Sequence, residues 1–137
     1  MSKFWISKAL CISILCCLGI IQMGYAWQGV DINGVSITTA ANSQQYQKMV
    51  SDEQGGAIMV WMDNRNGTWD IYAQAIDTIG AVKWASNGIA VCTTLGNEYN
   101  PQIISDGQSG AIITWQDNRS GSFDIYAQAI DSTGTLK

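Results

Sequence analysis

The chain has 137 residues, with 7 basic and 11 acidic side chains, no histidine and a formal net charge of −4. That balance makes nucleic acid a poor partner, since phosphate backbones need a basic face. The missing imidazole removes the usual general base, the Ser/His nucleophile pair and the commonest zinc ligand.

The first 26 residues read as a secretory signal peptide. Lys3 and Lys8 make a basic start, Ala9 to Gly24 is almost wholly apolar, and Gly24 and Ala26 put small residues at minus three and minus one of a cleavage point. The apolar run is shorter than the roughly 20 residues that a spanning helix prefers, so a membrane role follows only if the segment is retained. Leu15 before Cys16, and Cys16 before Cys17, stand where a lipoprotein signal would place Gly or Ala. Cleavage would leave 5 basic against 11 acidic residues, a net of −6, and Cys92 as the one cysteine. A secreted, cell-surface or periplasmic location is expected. With no intrachain disulfide to form, the fold must rest on packing. Cys92 then reads as a small apolar strand residue.

Along the remaining chain, the apolar segments are short, rich in β-branched and aromatic residues, and bounded by turn chemistry, which predicts strands. In order these are Val35–Thr39, Lys48–Ser51, Ala57–Met62 and Asp70–Ile76, then Ile89–Thr93, Gln102–Ser105, Ala111–Gln116 and Asp124–Ile130. Val82–Trp84 is a rival to the outer segment for the fourth strand of a sheet. Asp52 to Gly56 and Asp106 to Gly110 predict hairpin loops. Asp77 to Gly80 and Asp131 to Gly134 carry Asp first and Gly fourth, as a type I turn favours. Asn33-Gly34 and Asn87-Gly88 offer the positive-φ pair of a type I′ turn. No helical period is sustained outside the signal peptide.

These elements recur at a fixed offset. Trp61, Asp63, Asn64, Arg65, Gly67 and Asp70 through Asp77 return as Trp115, Asp117, Asn118, Arg119, Gly121 and Asp124 through Asp131, 54 residues later. Between 47–80 and 101–134, 20 of 34 positions are identical. The expected organisation is a signal peptide at 1–26 and two abutting repeats, 27–83 and 84–137. Repeats that abut in this way share a core. Ala57–Trp61 is apolar on both faces, as a strand with a sheet on either side would be. A small two-sheet sandwich is the rival architecture, and those two-sided strands count against it.

The stretch from Ser105 to Gln128, Ser-Asp-Gly-Gln-Ser-Gly-Ala-Ile-Ile-Thr-Trp-Gln-Asp-Asn-Arg-Ser-Gly-Ser-Phe-Asp-Ile-Tyr-Ala-Gln, resembles the repeats of secreted bacterial β-propeller proteins of the WD40-like and sialidase-like type. The resemblance covers both copies. It implies an all-β fold of two tandem four-stranded antiparallel blade-like sheets, preceded by the helical signal peptide. Propellers carry about 4 to 8 blades, so two repeats imply either a part of a longer protein or a homo-oligomer that completes a ring.

Asp63, Arg65 and Asp70, like Asp117, Arg119 and Asp124, place a cation between two carboxylates at a hairpin. An Arg–carboxylate fork that stitches the turn is one reading; an anion or sugar-acid contact is the other. With Trp69 and Phe123 beside them, Arg65, Trp69, Arg119 and Phe123 form the candidate ligand rim. Asp63, Gly67, Trp69 and their equivalents echo sialidase Asp boxes, but the Asp–Gly spacing is too long. An arginine in a calcium loop's ligand position argues against metal. The acids recur in turns rather than forming a unique pair, apart from Asp31, Glu53 and Glu98, so no catalytic residue, cofactor or metal is assigned. The expected role is a non-catalytic module for protein or glycan interaction; the alternative is a fragment of a secreted sialidase-like glycosidase.

Overall fold

The computed structural model describes residues 33–137, which form two antiparallel sheets and contain no helix. The expected signal peptide, with its cysteines, lies outside the described residues. The first sheet runs β1 (Gln44–Ser51), β2 (Ala57–Asp63), β3 (Asp70–Ile76) and β4 (Ile89–Cys92), in that spatial order. The second runs β5 (Glu98–Ser105), β6 (Ala111–Asp117) and β7 (Asp124–Ile130). It has three strands where four were expected.

Registers repeat with the sequence offset. Ala57 pairs with Ile76 and Asp63 with Asp70, as Ala111 pairs with Ile130 and Asp117 with Asp124. The β1–β2 loop is set by Asp52, whose Oδ1 accepts from the amides of Gln54 at 2.9 Å and Gly56 at 2.7 Å. Asp106 does the same for Gln108 and Gly110. A side chain mimicking a backbone turn in this way is why Asp opens both loops. Asp77 and Asp131 close the next turns by accepting from Gly80 and Gly134, as the Asp-first, Gly-fourth pattern predicts.

Two features depart from the sequence reading. Val35–Thr39 is not a strand, and β1 and β5 begin earlier than expected, each crossing a bulge. The register slips between Gln45 and Lys48 in one and between Tyr99 and Gln102 in the other. Tyr46 and Asn100, at equivalent places in the two bulges, take positive φ values of 56° and 54°. An extra residue in a strand kinks it and strengthens its twist.

The fourth edge of the first sheet is built from both rival segments. Val82 bridges Ile76, and the Lys83 amide donates to the Ala75 carbonyl at 2.8 Å. Residues 84–88 then loop out, and β4 resumes along the same edge, with Ile89 opposite Ala73, Ala90 opposite Tyr72 and Cys92 opposite Ile71. Gln74, fully buried, anchors the start of that loop. Its Nε2 donates to the Ala85 carbonyl at 2.8 Å, and its Oε1 accepts from the Trp84 amide at 2.9 Å. The loop returns at Gly88, where φ is 85° and a Cβ would stand 2.6 Å from the Trp61 ring.

Sheet two packs on sheet one through β5, which lies against β1, β2 and β3. One apolar core runs through both, from Ile58, Val60, Met62, Ile71 and Ala73 to Ala111, Ile113, Trp115 and Ile130. Trp84 crosses between them, its Nε1 donating to the Ser132 carbonyl at 3.2 Å.

Candidate functional site

The recurring motif places its residues by strand geometry. Trp61 and Asp63 are two apart on β2 and therefore share a face, and Tyr72 on β3 lies opposite Trp61. The indole Nε1 of Trp61 donates to Asp63 Oδ2 at 2.8 Å. Arg65, just past the strand, turns back onto Asp63 with Nε to Oδ1 at 2.9 Å and Nη2 to Oδ2 at 2.6 Å. Its guanidinium lies 3.8 Å from the centroid of Tyr72, which itself stacks with Trp61 at 6.5 Å. The same Nη2 donates to the Asn87 carbonyl at 2.8 Å and so ties the hairpin to the loop before β4.

The second copy is built alike. Trp115 Nε1 donates to Asp117 Oδ2 at 3.2 Å, Arg119 Nε and Nη2 both reach that carboxylate, and the guanidinium lies 3.9 Å over Tyr126. Its Nη2 meets Cys92 Sγ at 3.2 Å. The fork from Arg119 is the chief cause holding the Asp117 carboxyl down at about 2, and it raises the arginine in turn. Burial pushes the Asp63 carboxyl upward, but the bonds from Arg65 and Trp61 outweigh it, and its pKa is lowered. Arg65 and Arg119 are thus bound within the chain by carboxylate, aromatic ring and a third contact. A bidentate pair of this kind fixes geometry as well as charge.

Trp69 and Phe123 are equivalent in sequence but not in surroundings. Trp69 is half-buried against the core; its amide donates to Asn97 Oδ1 at 3.0 Å, and its carbonyl accepts from the Glu98 amide at 2.7 Å. It is part of the junction between the sheets. Phe123 is 59% exposed and meets Tyr99 edge-on at 5.9 Å. The four rim candidates therefore fall into two tied arginines, a junction tryptophan and one open phenylalanine.

At the same junction the structure gathers Cys92, Glu98 and Asp117, which the repeat pattern alone did not bring together. All three are buried, with donor atoms within 4.8 Å of one another. Such a set has the chemistry of a metal site, but Arg119 already supplies the positive charge. Asp117 Oδ2 accepts from both Arg119 nitrogens and from Trp115. Glu98, at 0% exposure, accepts from the Thr94 hydroxyl at 2.9 Å through Oε1, while Oε2 has no partner. Burial, with the nearby charges of Asp117 and Asp70 adding to it, pushes its carboxyl up to about 7 against the Thr94 bond. Burial likewise raises the Cys92 thiol, which makes it a poor nucleophile at neutral pH. The sequence hint was asymmetry: positions 38 and 44, equivalent to Cys92 and Glu98, hold Thr38 and Gln44.

Against known protein families, curated proteins and solved structures, the chain finds no match.

Proposed function

We propose that the chain is a non-catalytic, secreted or cell-surface β-propeller repeat segment whose work is protein or glycan interaction. The observation that carries this reading is the contrast between the two ends of the repeat pair. The motif residues best suited to chemistry are held in intramolecular contacts in both copies. The second sheet leaves large apolar side chains open, Phe123 at 59% and Ile125 at 72% exposure, where Ile71, the equivalent of Ile125, is fully buried. Exposed apolar side chains of this size suit contact with a polypeptide better than with a sugar. Glu98, whose carboxyl burial pushes up to about 7, is sealed from solvent, where no substrate could reach it.

A panel of fluorogenic glycosides and a glycan array, each run on the wild type and on Phe123→Ala, tests this. The expected result is no turnover in either protein. Glycan binding lost in Phe123→Ala would assign the open face to sugars rather than polypeptide. Turnover that survives Phe123→Ala and disappears in Glu98→Gln would overturn the non-catalytic reading in favour of a glycosidase.

A further inference from the structure

The second repeat departs from the first at two positions that meet in space. By the offset of 54, Cys92 answers to Thr38 and Glu98 to Gln44, whereas Asp117 and Arg119 answer to Asp63 and Arg65. Both changes put a metal-ligating side chain where the first repeat has a neutral one. Cys92 ends β4 of the first sheet, Glu98 begins β5 and Asp117 ends β6, so three strands bring their donor atoms within 4.8 Å of one another. Cys92 Sγ stands 3.9 Å from Asp117 Oδ2 and 3.7 Å from the Thr94 hydroxyl, which itself donates to Glu98 Oε1 at 2.9 Å. Glu98 Oε2, in a side chain at 0% exposure, is the one buried side-chain polar atom without a hydrogen-bond partner among the described residues.

Charge decides what the cluster suits. The Arg119 guanidinium balances Asp117 alone, as Arg65 balances Asp63 in the first repeat. With Cys92 and Glu98 ionised as well, three negative charges face one positive, a net of −2 with Arg119 in place. In the metal-free chain burial opposes that state, raising the thiol and pushing the Glu98 carboxyl up to about 7. A divalent cation restores neutrality by displacing both protons. One thiolate with two carboxylates is a borderline-soft set, which suits Zn2+ rather than Ca2+ or Mg2+. Zinc ligands at about 2.3 Å for sulfur and about 2.0 Å for oxygen lie roughly 3.5 Å apart on a tetrahedron. The 3.9 Å between Cys92 Sγ and Asp117 Oδ2 is close to that spacing.

We infer that Cys92, Glu98 and Asp117 form a structural Zn2+ site that clamps the two sheets together where β5 enters their junction. Glu98 Oε2 gains in the ion the partner it lacks, and its second oxygen completes a closed set of four ligands. Arg119 stays where it is. With Trp115 it donates to the ligating Asp117 carboxylate, and its Nη2, 3.2 Å from Cys92 Sγ, donates to the ligating thiolate. Outer donors of this kind orient ligands and hold them in their ionised forms. Thr94 is exposed and its hydroxyl touches both Cys92 and Glu98, so a turn of that one side chain opens a path for a bare ion. The clamp joins β4 of one sheet to β5 and β6 of the other, a cross-link that the lone Cys92 cannot supply as a disulfide.

The test uses the full chain with Cys11, Cys16 and Cys17 replaced by serine, which leaves Cys92 as the one thiol. Stripped of metal by a chelator, this parent should take up one Zn2+ per chain in equilibrium dialysis. Its Tm should rise by about 10 °C at a free Zn2+ concentration about a hundred times Kd, and Ca2+ or Mg2+ should leave it unchanged. Co2+ in place of Zn2+ should bring up a near-ultraviolet thiolate-to-metal charge-transfer band. Cys92→Thr and Glu98→Gln install the residues that the first repeat carries at these positions, and circular dichroism checks that each keeps its sheets. Each should weaken Zn2+ binding at least about tenfold, and Cys92→Thr should abolish the band. A parent chain that takes up no Zn2+ or shows no band with Co2+ would overturn the inference. So would Zn2+ bound as tightly by Glu98→Gln as by the parent, which would mark adventitious capture by the thiol alone. Either failure leaves the non-catalytic reading to be decided by the turnover measurement.

Discussion

Glu98 and Gln44 occupy equivalent positions, yet the first ends in a carboxyl and the second in an amide. At the second position the acid is enclosed at 0% exposure beside Asp117, and its pKa stands at about 7 against 4.5 unperturbed. The folded chain therefore binds this proton more tightly than the unfolded chain does. Its contribution to stability is fully present below about pH 4.5 and is lost as pH rises through about 7. Asp117 runs the other way, its contribution being present above 3.8 and lost as pH falls through about 2. Glu98→Gln, which installs the residue found at position 44, should remove the first slope. Urea unfolding should find the variant about 1–3 kcal/mol more stable at pH 8, from a shift of this size, and close to wild type at pH 4.5. A variant less stable at pH 8 would mean that the ionised carboxylate has a partner worth more than its burial costs.

At the scale of the strand, the two heptapeptides provide a paired comparison at Gln74 and Gln128. Gln74 hydrogen-bonds the Trp84 amide and the Ala85 carbonyl and so anchors the start of the loop between Val82 and Ile89. Gln128 bonds only to the carbonyls of Ala129 and Lys137, in more exposed surroundings. Gln74→Ala removes the partner of the part-buried Trp84 amide and Ala85 carbonyl and should cost about 1–3 kcal/mol; Gln128→Ala should cost under about 1 kcal/mol, as bonds open to water do. Denaturant midpoints of the two variants check this, and equal losses would contradict the anchoring role. That role also marks what the sequence could not show. Strand periodicity and turn chemistry located β2, β3, β6 and β7 closely, because alternation and Asp/Gly turns are local signals. Whether Val82–Trp84 or Ile89–Thr93 formed the fourth strand was not local, since both lie along one edge of β3. The bulges at Tyr46 and Asn100 were equally hidden, as neither residue is one that positive φ demands. The motif residues were found, but their mutual ties were not. Arg65 and Arg119 look the same on a rim or folded back until Asp63, Tyr72 and Asn87 are placed in space. The Cys92, Glu98 and Asp117 grouping depends on β4, β5 and β6 meeting at the junction, which no spacing within a repeat encodes.

At the scale of the molecule, two sheets share one core, and the first reaches beyond its own repeat to be complete. It takes β4 from residues that follow the 83/84 boundary. Interlocking of this kind couples neighbours and makes stability a sum of sheets and their interfaces. The most direct measurement is amide hydrogen exchange on the two identical heptapeptides. Ile71–Ala73, covered by Ile89–Cys92, should be protected, and Ile125–Ala127 should exchange faster. Equal protection of the two segments would contradict the account.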